Sequence, residues 1–226
     1  MRFRRLVPFL ALALLGGTSL PALAGPNPCT ASIREAERNH RIPPGLLQAM
    51  ALLESGVNGQ PYPWAINVGG RVIYAKSQDQ AQKVLGERQA SGRKNLYAGC
   101  LQLSVKHHRA NFGSIGDMLT PQRNVSYAAR YLAGHYEDYG DWPAAVRRYN
   151  GGRPRQAAAY YCKVWRILGE IRPESAREID NGRCGTGPGA EVARTVDWPT
   201  EPASPASPSV PPAAAPPEPV AIGLRS

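Results

Sequence analysis

The stretch IPPGLLQAMALLESG, residues 42–56, decides the fold. It reads as a helix that is apolar almost all the way along, started after Pro43-Pro44 and stopped at Gly56. A helix without a polar side belongs inside a domain, with other elements packed around it. One carboxylic acid interrupts it near its end: Glu54, between Leu53 and Ser55. Glutamate is rarely buried unless it is paired or has a task. An acid at the end of an apolar helix is therefore the first candidate for chemistry.

Outward from that helix the chain keeps reading as helices with short loops. CTASIREAERNH starts with Thr30 or Ser32 as the expected N-cap and shows helical spacing at Ile33, Ala36 and Glu37. In PQRNVSYAARYLAGHYEDYG, Val125, Ala128, Ala129 and Leu132 repeat at i, i+3, i+4 and i+7, and Gly140 is the stop. Asp141 caps a short helix that runs to Asn150-Gly151, and PRQAAAYYCKVWRILGEI is a further helix. One segment differs. AINV and VIY flank Gly69-Gly70, two β-type runs around two glycines, which predicts a hairpin with a primed turn. Ser77 with Gln80 predicts a capping box opening a helix over 78–90.

The ends read differently from this middle. MRFRR followed by LVPFLALALLGGTSL and PALAG has the basic, apolar and small-residue regions of a secretory leader, with cleavage expected after Ala24. The apolar run is too short for a good membrane anchor. Removing Arg2, Arg4 and Arg5 with it takes the formal charge from +10 to +7, a balance suited to polyanions. Nucleic acid is a poor fit outside the cytoplasm, and no basic stripe interleaved with aromatics is present. Residues 185–226 are rich in Pro, Ala and Ser and are expected to form a disordered, extended tail. The tail is a solvated spacer or a docking arm for an envelope partner. The expected organisation is a leader at 1–24, a folded domain at 25–184 with an insertion at about 60–97, and the tail.

Four cysteines, Cys29, Cys100, Cys162 and Cys184, suggest disulfides in an exported chain. Three connectivities are open; the close spacing of Cys162 and Cys184 favours that pair with Cys29–Cys100. No C-x-x-C or close Cys/His spacing points to zinc. His40, His107, His108 and His135 also lack metal spacing and are expected at the surface or at helix ends. Trp64, Trp142 and Trp165 read as core or cleft-wall residues. Arg147, Arg148, Arg153 and Arg155 form either a solvated face or a site for carboxylates.

Three motifs follow in order: Glu54-Ser55 ending the apolar helix, GCLQL at 99–103, and RYNGG at 148–152, with RNVSYAARYL at 123–132 between the last two. Over residues 29–166 this resembles the soluble lytic transglycosylase (SLT) family, whose fold is that of goose-type lysozyme. The resemblance implies a mostly α, lysozyme-like helical domain, here with the small hairpin-and-helix insertion. It implies a catalytic role for Glu54 as general acid and base. It implies substrate-binding roles for Ser55, Gln102, Tyr149 and Asn150, and a structural role for Asn124. Cys100-Leu101 stands where the family has Leu-Met, and Arg148 where it has alanine.

The implied reaction is non-hydrolytic cleavage of the MurNAc-β-1,4-GlcNAc bond of peptidoglycan, leaving 1,6-anhydro ends. Most glycosidases use two carboxylates. After Glu54 the next acids are Asp79 and Glu87, both in the insertion, and one acid assisted by the substrate's own acetamido group suits a transglycosylase. No metal or cofactor is implied. The expected partners are glycan strands, for a monomeric periplasmic protein without a membrane anchor, and an envelope machine such as a secretion system or pilus reached through the tail. A hydrolytic muramidase on the same fold and a non-catalytic wall-binding adaptor are the alternatives.

Overall fold

The computed structural model describes residues 27–179 together with Gly182 and Cys184. The leader at 1–24 and the tail at 185–226 lie outside the described residues.

The first helix, α1 (Pro28–Asn39), is capped by Asn27 and not by Thr30 or Ser32. The Asn27 side chain accepts from the backbone N–H groups of Cys29 and Thr30. Pro28 fits the first helical position because its missing N–H would be unbonded there anyway. Ser32 instead donates to Pro28 O one turn back, at 2.8 Å.

The apolar stretch forms α2 (Leu46–Ser55), with Leu46, Leu47, Ala49, Met50 and Ala51 all buried. No side chain within the helix caps its start. A carboxylate from α1 does so: Glu37 accepts from the N–H groups of Gly45 and Leu47, each at 2.9 Å, and of Gln48 at 3.2 Å. A negative charge at three unpaired N–H groups and a helix N-terminus is favourable in itself. Burial still outweighs those bonds and pushes the Glu37 pKa up. The helix that carries Glu54 at one end is thus pinned by another glutamate at the other.

Between α2 and the next long helices lies a small β region. β1 (Gly56–Val57) and β2 (Gln60–Pro61) make a two-residue ladder. β3 (Ala65–Val68) and β4 (Arg71–Tyr74) form the expected hairpin. Gly69 and Gly70 have φ of 59° and 94°, the positive values a primed turn requires. β5 (Leu96–Ala98) and β6 (Leu103–Ser104) complete an antiparallel sheet in the order β4-β3-β5-β6. These last two strands are too short for their alternation to show in the sequence. Ser77 caps α3 (Gln78–Ala90) through its bond from Gln80 N–H, but the capping box is not reciprocal. The Gln80 side chain accepts from Lys76 N–H at 2.6 Å.

The rest is helical: α4 (Val105–His108) with a 3-10 turn after it, α5 (Ile115–Leu119), α6 (Pro121–Tyr139), α7 (Trp142–Asn150), α8 (Pro154–Ile171) and α9 (Pro173–Glu178). Asp141 caps α7 and Gly140 closes α6 in the left-handed region, as expected. α1 packs on α6, α6 on α7, α7 on α8, and α8 on both α2 and α9. One hydrophobic core joins these helices to the inner face of the sheet.

The disulfides pair Cys29 with Cys100 and Cys162 with Cys184. The first ties α1 to the segment between β5 and β6. The second ties α8 to the chain beyond α9. Among the described residues no helix is long and apolar enough to cross a membrane.

Candidate active site

Glu54 occupies the last turn of α2, and Tyr160 of α8 donates a 2.7 Å hydrogen bond from its hydroxyl to Glu54 Oε1. Two forces act on that carboxyl. Burial disfavours the charged form, while the Tyr160 bond favours it. Burial wins and pushes the pKa up to about 7. The residue as a whole stays partly exposed. No second carboxylate among the described residues contributes to the shift. The acid can therefore carry its proton at neutral pH and also give it up there.

The surrounding phenols cannot take that proton away. Burial and the neighbouring Glu54 charge hold both Tyr149 and Tyr160 well above the ordinary tyrosine range. Both remain neutral hydroxyls. Tyr149, near the end of α7, donates to Leu101 O at 3.0 Å.

That carbonyl belongs to the 99–102 turn, which is the frame of the site. Gly99 has φ +85°, and a Cβ there would collide with the Asn124 side-chain amide. Asn124, wholly buried in α6, meets the turn with its full amide. Its Nδ2 donates to Ala98 O and Met118 O, and its Oδ1 accepts from Leu101 N–H, each at 3.0 Å. The next carbonyl, Cys100 O, accepts from Ser55 Oγ at 2.8 Å. Ser55 Oγ also accepts from Tyr62 N–H at 3.1 Å. Its hydroxyl is thus spent inside the protein, fixing the end of α2 against the turn and against Tyr62.

Gln102 closes the turn in the left-handed region, at φ 44°, and is only 7% exposed. Its Nε2 donates to Ala65 O at 3.0 Å and Gly99 O at 2.9 Å. Its Oε1 is buried and has no hydrogen-bond partner among the described residues. A buried acceptor left open is costly. Asn150 lies at the exposed end of α7.

The five residues singled out from the sequence therefore fall on two helix ends and one turn. Ser55, Gln102 and Tyr149 are linked through the 99–102 turn, and Glu54 acts electrostatically on Tyr149. Tyr160 escaped the sequence reading. It lies on the buried stripe of α8 with Ala157, Tyr161, Val164 and Leu168, but spacing within α8 does not reveal which acid it meets 106 residues away.

An aromatic array extends from Tyr149. Tyr131 lies 5.6 Å from it between ring centroids, with His108 at 4.9 Å and His135 at 4.5 Å from Tyr131. His108 Nδ1 and Asn111 Nδ2 both meet the Tyr127 hydroxyl at 3.0 Å. His108, at the end of α4 as expected, and His135, within α6, are both half-buried in this array. Burial drives the His108 pKa down to about 4 and lowers that of His135. Both are uncharged at neutral pH. Arg147 pairs with Asp141 at 3.8 Å and lies over the Tyr161 ring, while Arg148 lies over Tyr139. Arg153 and Arg155 are exposed. Among the described residues no cluster of His, Cys, Asp and Glu could hold a metal ion.

Neither a curated protein nor a solved structure matches the chain significantly. The family described as the transglycosylase SLT domain matches residues 31–160, a span that opens in α1, includes Glu54, the 99–102 turn and Tyr149, and closes on Tyr160. The chain belongs to the transglycosylase SLT domain family, whose domains are lysozyme-like and act on peptidoglycan.

Proposed function

We propose that the protein is a lytic transglycosylase that cleaves the MurNAc-β-1,4-GlcNAc bond and leaves 1,6-anhydroMurNAc ends, with Glu54 as its only acid and base. The observation that carries this reading is the Glu54 carboxyl itself, raised to about 7 by burial and influenced by no second carboxylate. In the first step Glu54 gives its proton to the glycosidic oxygen as the C1–O4 bond breaks. The acetamido oxygen of the substrate stabilises the electron-poor C1 from within. In the second step the Glu54 carboxylate takes the proton of the C6 hydroxyl, and O6 bonds to C1. The proton lost in the first step returns in the second, and water is not consumed.

The neighbours have supporting parts. Tyr160 occupies Oε1, which leaves Oε2 to carry the proton. Ser55 holds the helix end, and Gln102, Tyr149 and exposed Asn150 border the glycan. A hydrolytic muramidase would call for a second carboxylate to direct water, and the environment of Glu54 supplies none. Export to the periplasm is supported by the leader-like residues 1–24 and by the substrate.

Glu54→Gln tests the assignment. The amide keeps the shape and still accepts from Tyr160, but it neither gives nor takes the proton. Release of soluble muropeptides from purified peptidoglycan is expected to fall by about a thousandfold or more, with binding to the wall retained. Undiminished release by a folded Glu54→Gln variant would remove Glu54 from the mechanism.

A further inference from the structure

The outer face of the sheet is covered at one end, where Ala65 is buried and Tyr62 packs on Tyr74, and carries exposed side chains beyond it. Strand alternation places Ile66, Ile73, Leu96 and Ala98 toward the core and Asn67, Val72, Tyr74 and Tyr97 on the other side. Asn67 is the cross-strand partner of both Val72 and Tyr97, so these three form one row across three strands. Val72, Tyr74 and Tyr97 are among the most exposed large hydrophobic side chains of the described residues, at 36%, 44% and 38%. Scattered exposed hydrophobics need no explanation, but a contiguous set on one sheet face marks a contact surface.

This face is continuous with the site. Tyr62 packs edge-on against Tyr74 at 5.1 Å, and its hydroxyl is fixed on Ala75 O at 2.9 Å. Its backbone N–H bonds to Ser55, the residue after Glu54. At the same end of β3, Ala65 O receives the Gln102 amide. The strands and loops of the sheet carry charge of one sign. Residues 56–77 and 91–104 contain Arg71, Lys76, Arg93 and Lys94 and no Asp or Glu, and all four cations are exposed.

We propose that this face is a saccharide-binding platform for the glycan strand cut at Glu54, and so a determinant of substrate length and of where along the strand the cut falls. The inference rests on the peptidoglycan reading of the site. Tyrosine rings offer flat, amphipathic surfaces to the C–H faces of sugar rings. The Asn67 Oδ1 is used by Gly70 N–H at 2.7 Å, which leaves its Nδ2 to donate to a hydroxyl or acetamido oxygen. The four cations of the sheet segments fit the carboxylates of the peptide stems. A neutral glycan alone would not need them, and a cationic partner would be repelled.

The test uses the full chain with Tyr74→Ala/Tyr97→Ala and, as a folding and chemistry control, Tyr74→Phe/Tyr97→Phe, each in the active and the Glu54→Gln background. The active forms are assayed on soluble peptidoglycan glycan strands and on disaccharide-repeat fragments too short to reach the sheet. The Glu54→Gln forms are assayed by co-sedimentation with purified sacculi. The alanine pair is expected to raise KM on long strands and weaken sacculus binding by about five- to tenfold. It should leave kcat and the short-fragment rate unchanged, and the phenylalanine pair should behave as wild type. A folded alanine pair with unchanged KM and unchanged binding overturns the platform while leaving the proposed function standing. If no form cleaves peptidoglycan but the alanine pair still loses sacculus binding, the proposed function fails and the platform stands. A concentration-dependent dimer abolished by the alanine pair, with sacculus binding intact, would overturn the platform in favour of contact between copies of this chain.

Discussion

The Tyr160 hydroxyl lies 2.7 Å from Glu54 Oε1 and opposes the burial that keeps the acid protonated. The bond favours the carboxylate, so it moderates the pKa and holds one oxygen in place. Tyr160→Phe removes the donor without changing the shape of the side chain. The Glu54 pKa is then expected to rise further, moving the alkaline limb of the kcat/KM profile to higher pH. The looser carboxyl is expected to lower kcat by about tenfold. A pH profile of glycan cleavage checks both. An unmoved alkaline limb would show that the phenol does not tune the acid.

The raised Glu54 pKa also has a cost in stability. A glutamate at an ordinary 4.5 in the unfolded chain and at about 7 in the folded one binds its proton more tightly when folded. Stability is therefore greatest below pH 4.5 and declines as pH rises through the window up to about 7. The full loss is about 3 kcal/mol. Glu54→Gln lacks this slope. It should match wild type at pH 4 and be more stable by up to about 3 kcal/mol at pH 8, measured by denaturant unfolding at the two pH values.

The two disulfides are expected to differ in what they protect. Cys29–Cys100 closes a longer loop than Cys162–Cys184, with separations of 71 and 22 residues, so their stabilising effects of about 4 and about 3 kcal/mol are similar. Only the first is anchored in the 99–102 turn that receives Ser55 and Tyr149. Replacing Cys29 and Cys100 with serine should lower kcat several-fold at a temperature where the protein remains folded. The same change at Cys162 and Cys184 should leave kcat within about twofold while still lowering Tm.

Asn124 satisfies three buried backbone groups of this turn and its neighbours. Asn124→Leu keeps the branched outline of the side chain, with bulkier methyl groups, and leaves all three unpaired. A loss of about 3–5 kcal/mol is expected. Gly99→Ala should be similarly damaging, because its φ of +85° and the Asn124 amide both exclude a side chain. Thermal unfolding of the two variants measures the strain on the frame separately from the chemistry.

Much of this was legible in the sequence because it depends on local signals. The apolarity of residues 46–53, broken only by Gln48, gave a buried helix, Gly69-Gly70 gave a turn with positive φ, and Asp141 and Gly140 gave helix ends. The isolated acid at Glu54 stood out against its own helix. What stayed hidden depends on distant pairing. Strands of three and two residues, β5 and β6, exist only because β3 lies beside β5 and β5 beside β6. Asn27 won the cap of α1 from Thr30 and Ser32 because Pro28 could start the helix directly behind it. Burial of His108 and His135 follows from tyrosines on α6 and α7 that meet only in the folded chain. The Tyr160 bond and the strained Gln102 backbone belong to the same class. Each is set by tertiary contacts that override local preference.

The central claim is that Glu54 cleaves the strand without water. Digestion of purified peptidoglycan by the mature protein in heavy-oxygen water, with the soluble muropeptides read by mass, tests it most directly. The account predicts products lighter by one water, with no heavy oxygen at C1 of MurNAc, and none of them with Glu54→Gln. Reducing-end products carrying heavy oxygen would contradict it and make the enzyme a hydrolase.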